Sequence, residues 1–188
     1  MLSELDQSLR SSLPALLKDR NKWDSLIVNR RKPHTYRVFT TLENGNRICL
    51  HKFNPCDMHE AFSHPHGWPA AFVVLQGGYK MEIGLYQSRE SNEKTKAADF
   101  IMGKWSAYQF SDPLTWHTVV PLEVTYTIMV NGRPFSPEIA HCNVRTTAGK
   151  DLDKMPEVDL IEHLDLFKRL VAEYIGGVKP YEEMPPHG

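Results

Sequence analysis

The sequence predicts a mainly β domain, a β-sandwich or barrel, with a helix near each end of the chain. Short strand-like segments with turn signals about every ten residues run from residue 36 to residue 131. No helical periodicity interrupts this series, which excludes the strand–helix alternation of a doubly wound sheet. Apolar residues at helical spacing precede and follow the series. The middle of the chain is therefore expected to form the β core and the two ends to pack helices against it.

Length and composition indicate one domain over residues 1–188, 41% hydrophobic and with a formal net charge of -1. This near-neutral balance makes nucleic acid an improbable partner, and no apolar run reaches the length of a membrane span. The three cysteines, Cys49, Cys56 and Cys142, lack C-x-x-C spacing, and the first residues lack the pattern of a signal peptide. We expect a cytoplasmic protein that does not bind membranes.

Residues 1–30 are predicted to form a helical arm. Leucines recur at helical spacing within residues 3–18, and Pro14 marks a kink or break. Positive charge is concentrated between residues 18 and 37. The basic residues there are Lys18, Arg20, Lys22, Arg30, Arg31, Lys32 and Arg37. They form either a solvated face or a rim that binds a carboxylate or phosphate, and both interpretations stay open.

The β core is predicted between residues 36 and 132. Asn44-Gly45 joins the first two segments and is a strong hairpin signal. Gly77-Gly78 joins the next two, and the polar residues 88–97 are predicted to form an exposed loop. The predicted strands are residues 36–41, 47–53, 70–75, 79–87, 100–102, 107–110, 115–120 and 123–130.

The C-terminal part, residues 133–188, is irregular up to about Pro156 and then predicts one amphipathic helix. Apolar residues recur at helical spacing from residue 160 to residue 175, and Gly176-Gly177 ends the helix. The apolar face is expected to pack on the β core. A contact between two copies in a homodimer is the alternative.

The segment with most chemical information is His64-Pro65-His66, just before the apolar run 70–75. In extended backbone, residues i and i+2 point to the same side, so the two imidazoles can converge while Pro65 stiffens the chain between them. Neutral imidazole is the commonest metal ligand. The pair therefore predicts half of a metal site that needs one or two ligands from elsewhere, and a solitary histidine, His117, lies in a later strand-like segment.

These residues carry a resemblance to a known family. His64-Pro65-His66, Ala71 and Gly78 resemble the first cupin motif, with alanine in place of its usual glutamate, and His117 would be the histidine of the second motif. The wider pattern is similar to a group of cupin-like bacterial and phage proteins. The resemblance implies a cupin-type jelly roll, also called a double-stranded β-helix. Its metal ligands would be His64, His66 and His117.

A site of three neutral imidazoles leaves the charge of a divalent ion uncompensated, which favours an anion in an open position. Among cupins this donor set resembles that of the thiol dioxygenases. We therefore expect Fe(II), with zinc, nickel or manganese as alternatives, and an oxygenase that acts on a small anionic molecule. A non-enzymatic ligand-binding or regulatory cupin and a metal-dependent isomerase or hydrolase remain alternatives.

Two residues are predicted to take part in catalysis. Glu60, shortly before His64, could act as an acid or base or as a reserve ligand. Tyr126 is the one phenol in the last predicted strand. Glu82 is an alternative base in an isomerase or hydrolase, although a solvent-facing strand position explains it as well.

Three further residues are predicted to contact the substrate. Arg37, at the start of the first strand, could bind a carboxylate or phosphate through bidentate hydrogen bonds. His51 alternates with Cys49 and Phe53 on one strand face and is expected to line the pocket. His59 is the second reserve ligand before the His64-Pro65-His66 segment.

Overall fold

A computed structural model describes residues 1–29, 32–61, 63–88, 93–136 and 153–178. Helices α1 (Leu2–Arg10) and α2 (Leu13–Leu16) begin the chain, a short 3-10 turn covers Arg20–Lys22, and α3 (Glu157–Gly177) follows the strands. None of the described helices combines the length and apolar character needed to cross a membrane. The ten strands are β1 (Asp24–Val28), β2 (Thr35–Thr41), β3 (Arg47–Phe53), β4 (His64–Pro65), β5 (Ala70–Gln76), β6 (Tyr79–Tyr86), β7 (Lys94–Met102), β8 (Ala107–Phe110), β9 (Thr115–Pro121) and β10 (Thr125–Asn131).

The strands form two antiparallel sheets, which confirms the predicted mainly β fold with a helix at each end. The larger sheet has the order β1-β2-β3-β10-β5-β8, and the smaller has the order β4-β9-β6-β7. Among the described strands no ladder joins one sheet to the other, so the expected barrel is not closed by hydrogen bonds. A jelly roll, in which two such sheets face each other, is compatible with this topology.

The six-stranded sheet is buried on both faces, and β5 shows why. Ala71, Val73 and Leu75 pack into the core beneath the helices. Their neighbours Ala70, Phe72 and Val74 pack into the core between the sheets. A strand covered on both sides has no polar face, which explains the uninterrupted apolar run in the sequence. The core between the sheets is the one that contacts the histidine cluster.

The helices cover the outer face of the larger sheet, with Leu9, Leu13 and Phe167 fully buried there. The predicted N-terminal helix is divided into α1 and α2 because Pro14 lies in the first turn of the second helix. Arg10 joins the two ends of the chain. Its Nε donates to Asp6 at 3.0 Å and its Nη2 donates to the carbonyl oxygen of Val178 at 2.6 Å.

Two strand predictions needed correction. β1 lies within residues 1–30, where a helical arm was predicted, and it pairs along its whole length with β2. The exposed loop predicted over residues 88–97 ends earlier, because β7 begins at Lys94 and pairs with β6. Most side chains of this edge strand are exposed, so it is held mainly by backbone hydrogen bonds. Hydrophobic periodicity in a sequence arises from side chains that are buried on one face. A mostly exposed strand such as β7 therefore shows no such periodicity.

Candidate metal centre

Three histidines converge on the inner side of the smaller sheet. β4 pairs with β9 so that His64 lies directly opposite His117, and His66 follows the strand by one residue. The Nε2 atom of His117 lies 3.0 Å from Nε2 of His66 and 3.2 Å from Nε2 of His64. All three ligand atoms lie within 4.8 Å of one another. The cluster is therefore compact enough to hold one metal ion.

Two of the three nitrogen–nitrogen distances, those that include His117, fit coordination of a single ion. Two imidazole nitrogens about 2.0–2.1 Å from one ion, at angles of about 90–110°, are separated by roughly 2.8–3.4 Å. Both distances at His117, 3.0 and 3.2 Å, lie in this interval. A hydrogen bond between two imidazoles could give the same length, but it needs only two rings. The meeting of three rings at one point favours an ion.

Two of the three imidazoles, those of His66 and His117, are held in the neutral form that binds metal. Burial lowers the pKa of His117 well below its usual value, and the neighbouring His64 and His66 lower it further. Burial likewise lowers the pKa of His66, with contributions from His64 and Arg37. Within the described ranges, the buried Nδ1 atom of His117 has no hydrogen-bond partner. The outer orienting group usual for a metal-bound histidine is thus not provided by those residues.

Aromatic rings surround the cluster from the side of β5 and β8. Phe110 meets His117 edge-to-face at a centroid separation of 4.9 Å, and Phe72 stacks on Tyr108 at 4.7 Å. The Tyr108 hydroxyl accepts a 2.9 Å hydrogen bond from the buried Tyr79. Phe110 was not predicted as part of the site, because its position depends on the pairing of β8 with β5.

Arg37 and His51 lie on adjacent strands of the larger sheet and are directly opposite each other. Arg37 Nε donates to His51 Nε2 at 2.9 Å, and Thr127 Oγ1 lies 3.5 Å from the other ring nitrogen. Burial, followed by the charge of Arg37, lowers the pKa of His51 well below its usual value. His51 is therefore neutral, which it must be to accept from a guanidinium. Cys49, two residues before His51 and on the same face of β3, packs in the core between the sheets, so the Arg37–His51 pair lies on the inner face of the larger sheet.

Glu60 and His59 lie in the turn before the cluster. The Glu60 carboxylate accepts from Lys32 Nζ and, at 3.1 Å, from the backbone N–H of Asp57. The hydrogen bond from Lys32 is the main cause of the lowered pKa of Glu60, which keeps the carboxylate charged. His59 is exposed. The described contacts thus give Glu60 a role in holding the turn, and the predicted roles of both residues as ligands or catalysts remain predictions.

Tyr126 and Glu82 both lie on strand faces turned away from the cluster. Tyr126 packs against Phe167 in the core beneath the helices, whereas the next residue, Thr127, contacts His51. Glu82 pairs with Lys96 at 3.1 Å and is one residue out of phase with Ile83, the partner of His117. These placements do not support a catalytic role for Tyr126 and agree with a solvent-facing position for Glu82.

The predicted basic rim is only partly described. Arg30 and Arg31 lie outside the described residues, and Lys32 pairs with Glu60. Arg37 is the member of the set that the structure connects with the inner wall, through its contact with His51.

A groove of about 580 Å³ lies on the other face of the larger sheet, between that sheet and α3. Its lining includes Tyr36, Lys52, Tyr126 and His163 together with carboxylates of α3. It is thus separate from the histidine cluster, whose converging donors make the cluster the better candidate for chemistry.

His163, which lines this groove, is predicted to make the stability of the protein depend on pH. Its side chain is 5% exposed, and burial lowers its pKa to about 4, partly offset by a hydrogen bond to the backbone of Leu50. The unfolded chain, with a histidine pKa near 6.5, takes up this proton first, so stability falls as pH drops from about 6.5 towards about 4. We expect His163→Asn to reduce that slope by up to about 1.4 kcal/mol per pH unit, measured by urea unfolding. Equal slopes in the two proteins would contradict this assignment.

No family model and no curated protein sequence matches the chain. Among solved structures it is similar to hydroxypropylphosphonic acid epoxidase from S. wedmorenis, at 12% identity and a TM-score of 0.46, over 61% of this chain and 57% of that one. It is also similar to Fe(II)-HppE with the alternative substrate (S)-1-HPP, at 15% identity and a TM-score of 0.44, over 61% of this chain and 58% of that one. A third similar structure is a protein of unknown function from Rhizobium leguminosarum, at 10% identity and a TM-score of 0.38, over 52% of this chain and 79% of that one. The chain spans less than two thirds of the epoxidase, and likenesses this distant assign no activity.

Proposed function

We propose that the chain is a cupin-type, non-haem Fe(II) oxygenase that acts on a small anionic molecule. The observation that carries the proposal is the convergence of three imidazole Nε2 atoms at His64, His66 and His117 within 4.8 Å. Imidazole suits iron, zinc, copper and nickel, and the resemblance of the donor set to that of thiol dioxygenases favours iron. In this assignment the three histidines are the ligands of the ion.

The charge of the site supports an anionic substrate. Three neutral ligands leave the two positive charges of the ion uncompensated, and Arg37 adds a third on the facing wall. Among the described residues no carboxylate lies within salt-bridge distance of Arg37. Unpaired charge is costly where water is partly excluded. A bound anion would therefore offset the electrostatic cost of these positive charges.

The remaining residues have roles that require no contact with the metal. Phe72, Tyr108 and Phe110 provide an apolar wall that restricts water near the ligands. When bound, Fe(II) would supply redox chemistry with dioxygen. The isomerase or hydrolase alternative has less support, because Glu82 faces outward and Glu60 is held by Lys32.

The direct test is oxygen consumption by the Fe(II)-loaded protein, measured with an oxygen electrode in the presence of small thiols, carboxylates or phosphonates. We expect at least one of these classes to raise consumption above the rate of free Fe(II). A His117→Ala protein treated in the same way should not exceed that background. Binding of such compounds without oxygen consumption would instead support the non-enzymatic, ligand-binding alternative.

A further inference from the structure

The strand that carries the candidate ligand His64 is short and can form few backbone hydrogen bonds. β4 consists of His64 and Pro65, and its pairing with β9 places His64 opposite His117. Proline has no backbone N–H, so His64 is the one residue of β4 that can donate to the neighbouring strand. A pairing this short needs further contacts to keep the two ligands in register.

A side-chain contact of this kind lies on the opposite face of the same two strands. Continuing the register by one position places Ser63 opposite Thr118, and a 2.6 Å hydrogen bond joins Ser63 Oγ and Thr118 Oγ1. Thr118 also pairs with Glu82, which faces outward. Because successive side chains of a strand point to opposite faces, the hydroxyls lie on the outer face and the imidazoles of His64 and His117 on the inner face. Thr118 is 3% exposed, so water competes little for this hydrogen bond.

Lys94 of β7 contacts the same serine from another direction. Its Nζ donates to Ser63 Oγ at 2.8 Å and lies 4.7 Å from the centre of the Trp116 ring. Trp116 is on β9, two residues before Thr118, and therefore lies on the same outer face. The Ser63 side chain is thus held by contacts from two strands, β7 and β9.

We propose that Ser63 and Thr118 form a hydroxyl pair that positions His64 and His117 for metal binding. The pair joins the two strands on their outer face beside the point at which the two ligands meet on the inner face, where their Nε2 atoms lie 3.2 Å apart. Ligands that are already held together lose less conformational entropy when the ion binds. Neither hydroxyl touches the ion, so both residues act through the ligands. The inference rests on the metal site of the proposed function and adds the contact that holds two of its ligands in register.

The experiment is titration of metal-free protein with Co(II), followed by the visible absorption of the bound ion. Thr118→Val keeps the shape of the side chain and removes its hydroxyl, and we expect it to weaken Co(II) binding about ten-fold or more. The absorption bands of the bound ion should also change, because they depend on the geometry of the ligands. Thr118→Ser, which keeps the hydroxyl, should restore the affinity to within about three-fold of the wild type.

The other member of the hydroxyl pair is tested with Ser63→Ala, which should weaken Co(II) binding by a similar factor. In the double variant Ser63→Ala/Thr118→Val the loss should stay close to that of either single change, because both remove the same hydrogen bond. Losses that simply multiply would show that the two hydroxyls act independently and would overturn the pair. Circular dichroism confirms that each variant folds, and Ser63→Ala takes the place of Thr118→Val should the latter not fold.

Thr125→Val is the matched control for loss of a buried threonine hydroxyl. Thr125 is fully buried, and its hydroxyl forms hydrogen bonds with the backbone of Gly78. Gly78 lies five residues before Ile83, the partner of His117, and so away from the cluster. This variant should be less stable than the wild type and yet bind Co(II) with unchanged affinity. An equal loss of affinity in Thr125→Val and Thr118→Val would reduce the role of Thr118 to general stability and would overturn the proposal.

Hydrogen–deuterium exchange of metal-free protein tests the hydroxyl pair without any metal. Exchange in residues 63–67 should be faster in Thr118→Val than in wild type and unchanged in Thr125→Val. Equal exchange would show that the pair does not hold β4 against β9, and equal Co(II) affinity in Thr118→Val and wild type would overturn the positioning role. If the wild type bound no Co(II), the metal assignment would fail, and the exchange contrast would still decide whether the pair joins the two strands.

Discussion

Replacing His64 by alanine is expected to abolish stoichiometric metal binding. His64 contributes one of the three nitrogens that lie within 4.8 Å of one another. Two imidazoles and water remain, and the loss should exceed the 10–100-fold typical of removing an outer orienting group, so we expect a decrease of roughly 100-fold or more in affinity. Metal content per chain, measured by inductively coupled plasma mass spectrometry after reconstitution with Fe(II), gives the result directly.

The control for this experiment is His59→Ala. His59 precedes the cluster by five positions in sequence and is exposed. Its variant should retain the metal content of the wild type. Equal metal content in His64→Ala and wild type would remove His64 from the site, whereas loss of metal in His59→Ala would restore the prediction that His59 is a reserve ligand.

Gly84→Ala is expected to cause the largest loss of stability among single-methyl additions. A Cβ built on Gly84 would overlap the carbonyl oxygen of Thr95 and would lie 2.6 Å from the ring of Trp116. The first atom is backbone of the neighbouring strand β7, so relief requires separating the two strands. Overpacking usually costs about 1–3 kcal/mol, and a contact with backbone should place this variant at about 3 kcal/mol or above. Urea unfolding followed by circular dichroism measures the change.

Gly103→Ala is the matched control, since a Cβ at Gly103 would meet nothing within 4 Å. Its effect on the free energy of unfolding should stay within about 0.5 kcal/mol. The contrast between the two variants separates steric overlap from the general effect of replacing glycine in a β protein. Similar unfolding free energies for Gly84→Ala and Gly103→Ala would show that β6 and β7 are not packed as described.

The local sequence pattern was sufficient to predict the fold class and two of the three candidate metal ligands. The strand series, the Asn44-Gly45 hairpin and the terminal helices follow from periodicity and turn chemistry, which act over a few residues. The same is true of His64 and His66, because an i, i+2 pair in extended backbone shares a face whatever the tertiary structure. His117 was predicted from family resemblance, and only the pairing of β4 with β9 brings it to the other two.

The orientation of whole strand faces was decided by the tertiary structure. Alternation along a strand divides side chains into two sets, but the set that points inward depends on how the sheets and helices pack. For β10 the inner set contains Thr127, so Tyr126 packs beneath the helices against Phe167. For β6 the same rule turns Glu82 outward.

By itself the sequence determined that this is a mainly β protein with terminal helices and a paired-histidine segment. Only the tertiary structure decided three other features: the separation into two sheets, the exposed edge strand β7 and the contact between Arg37 and His51. The reason is physical. Secondary structure depends on neighbours in sequence, whereas a guanidinium meets a ring 14 residues away only after two strands have paired in one register.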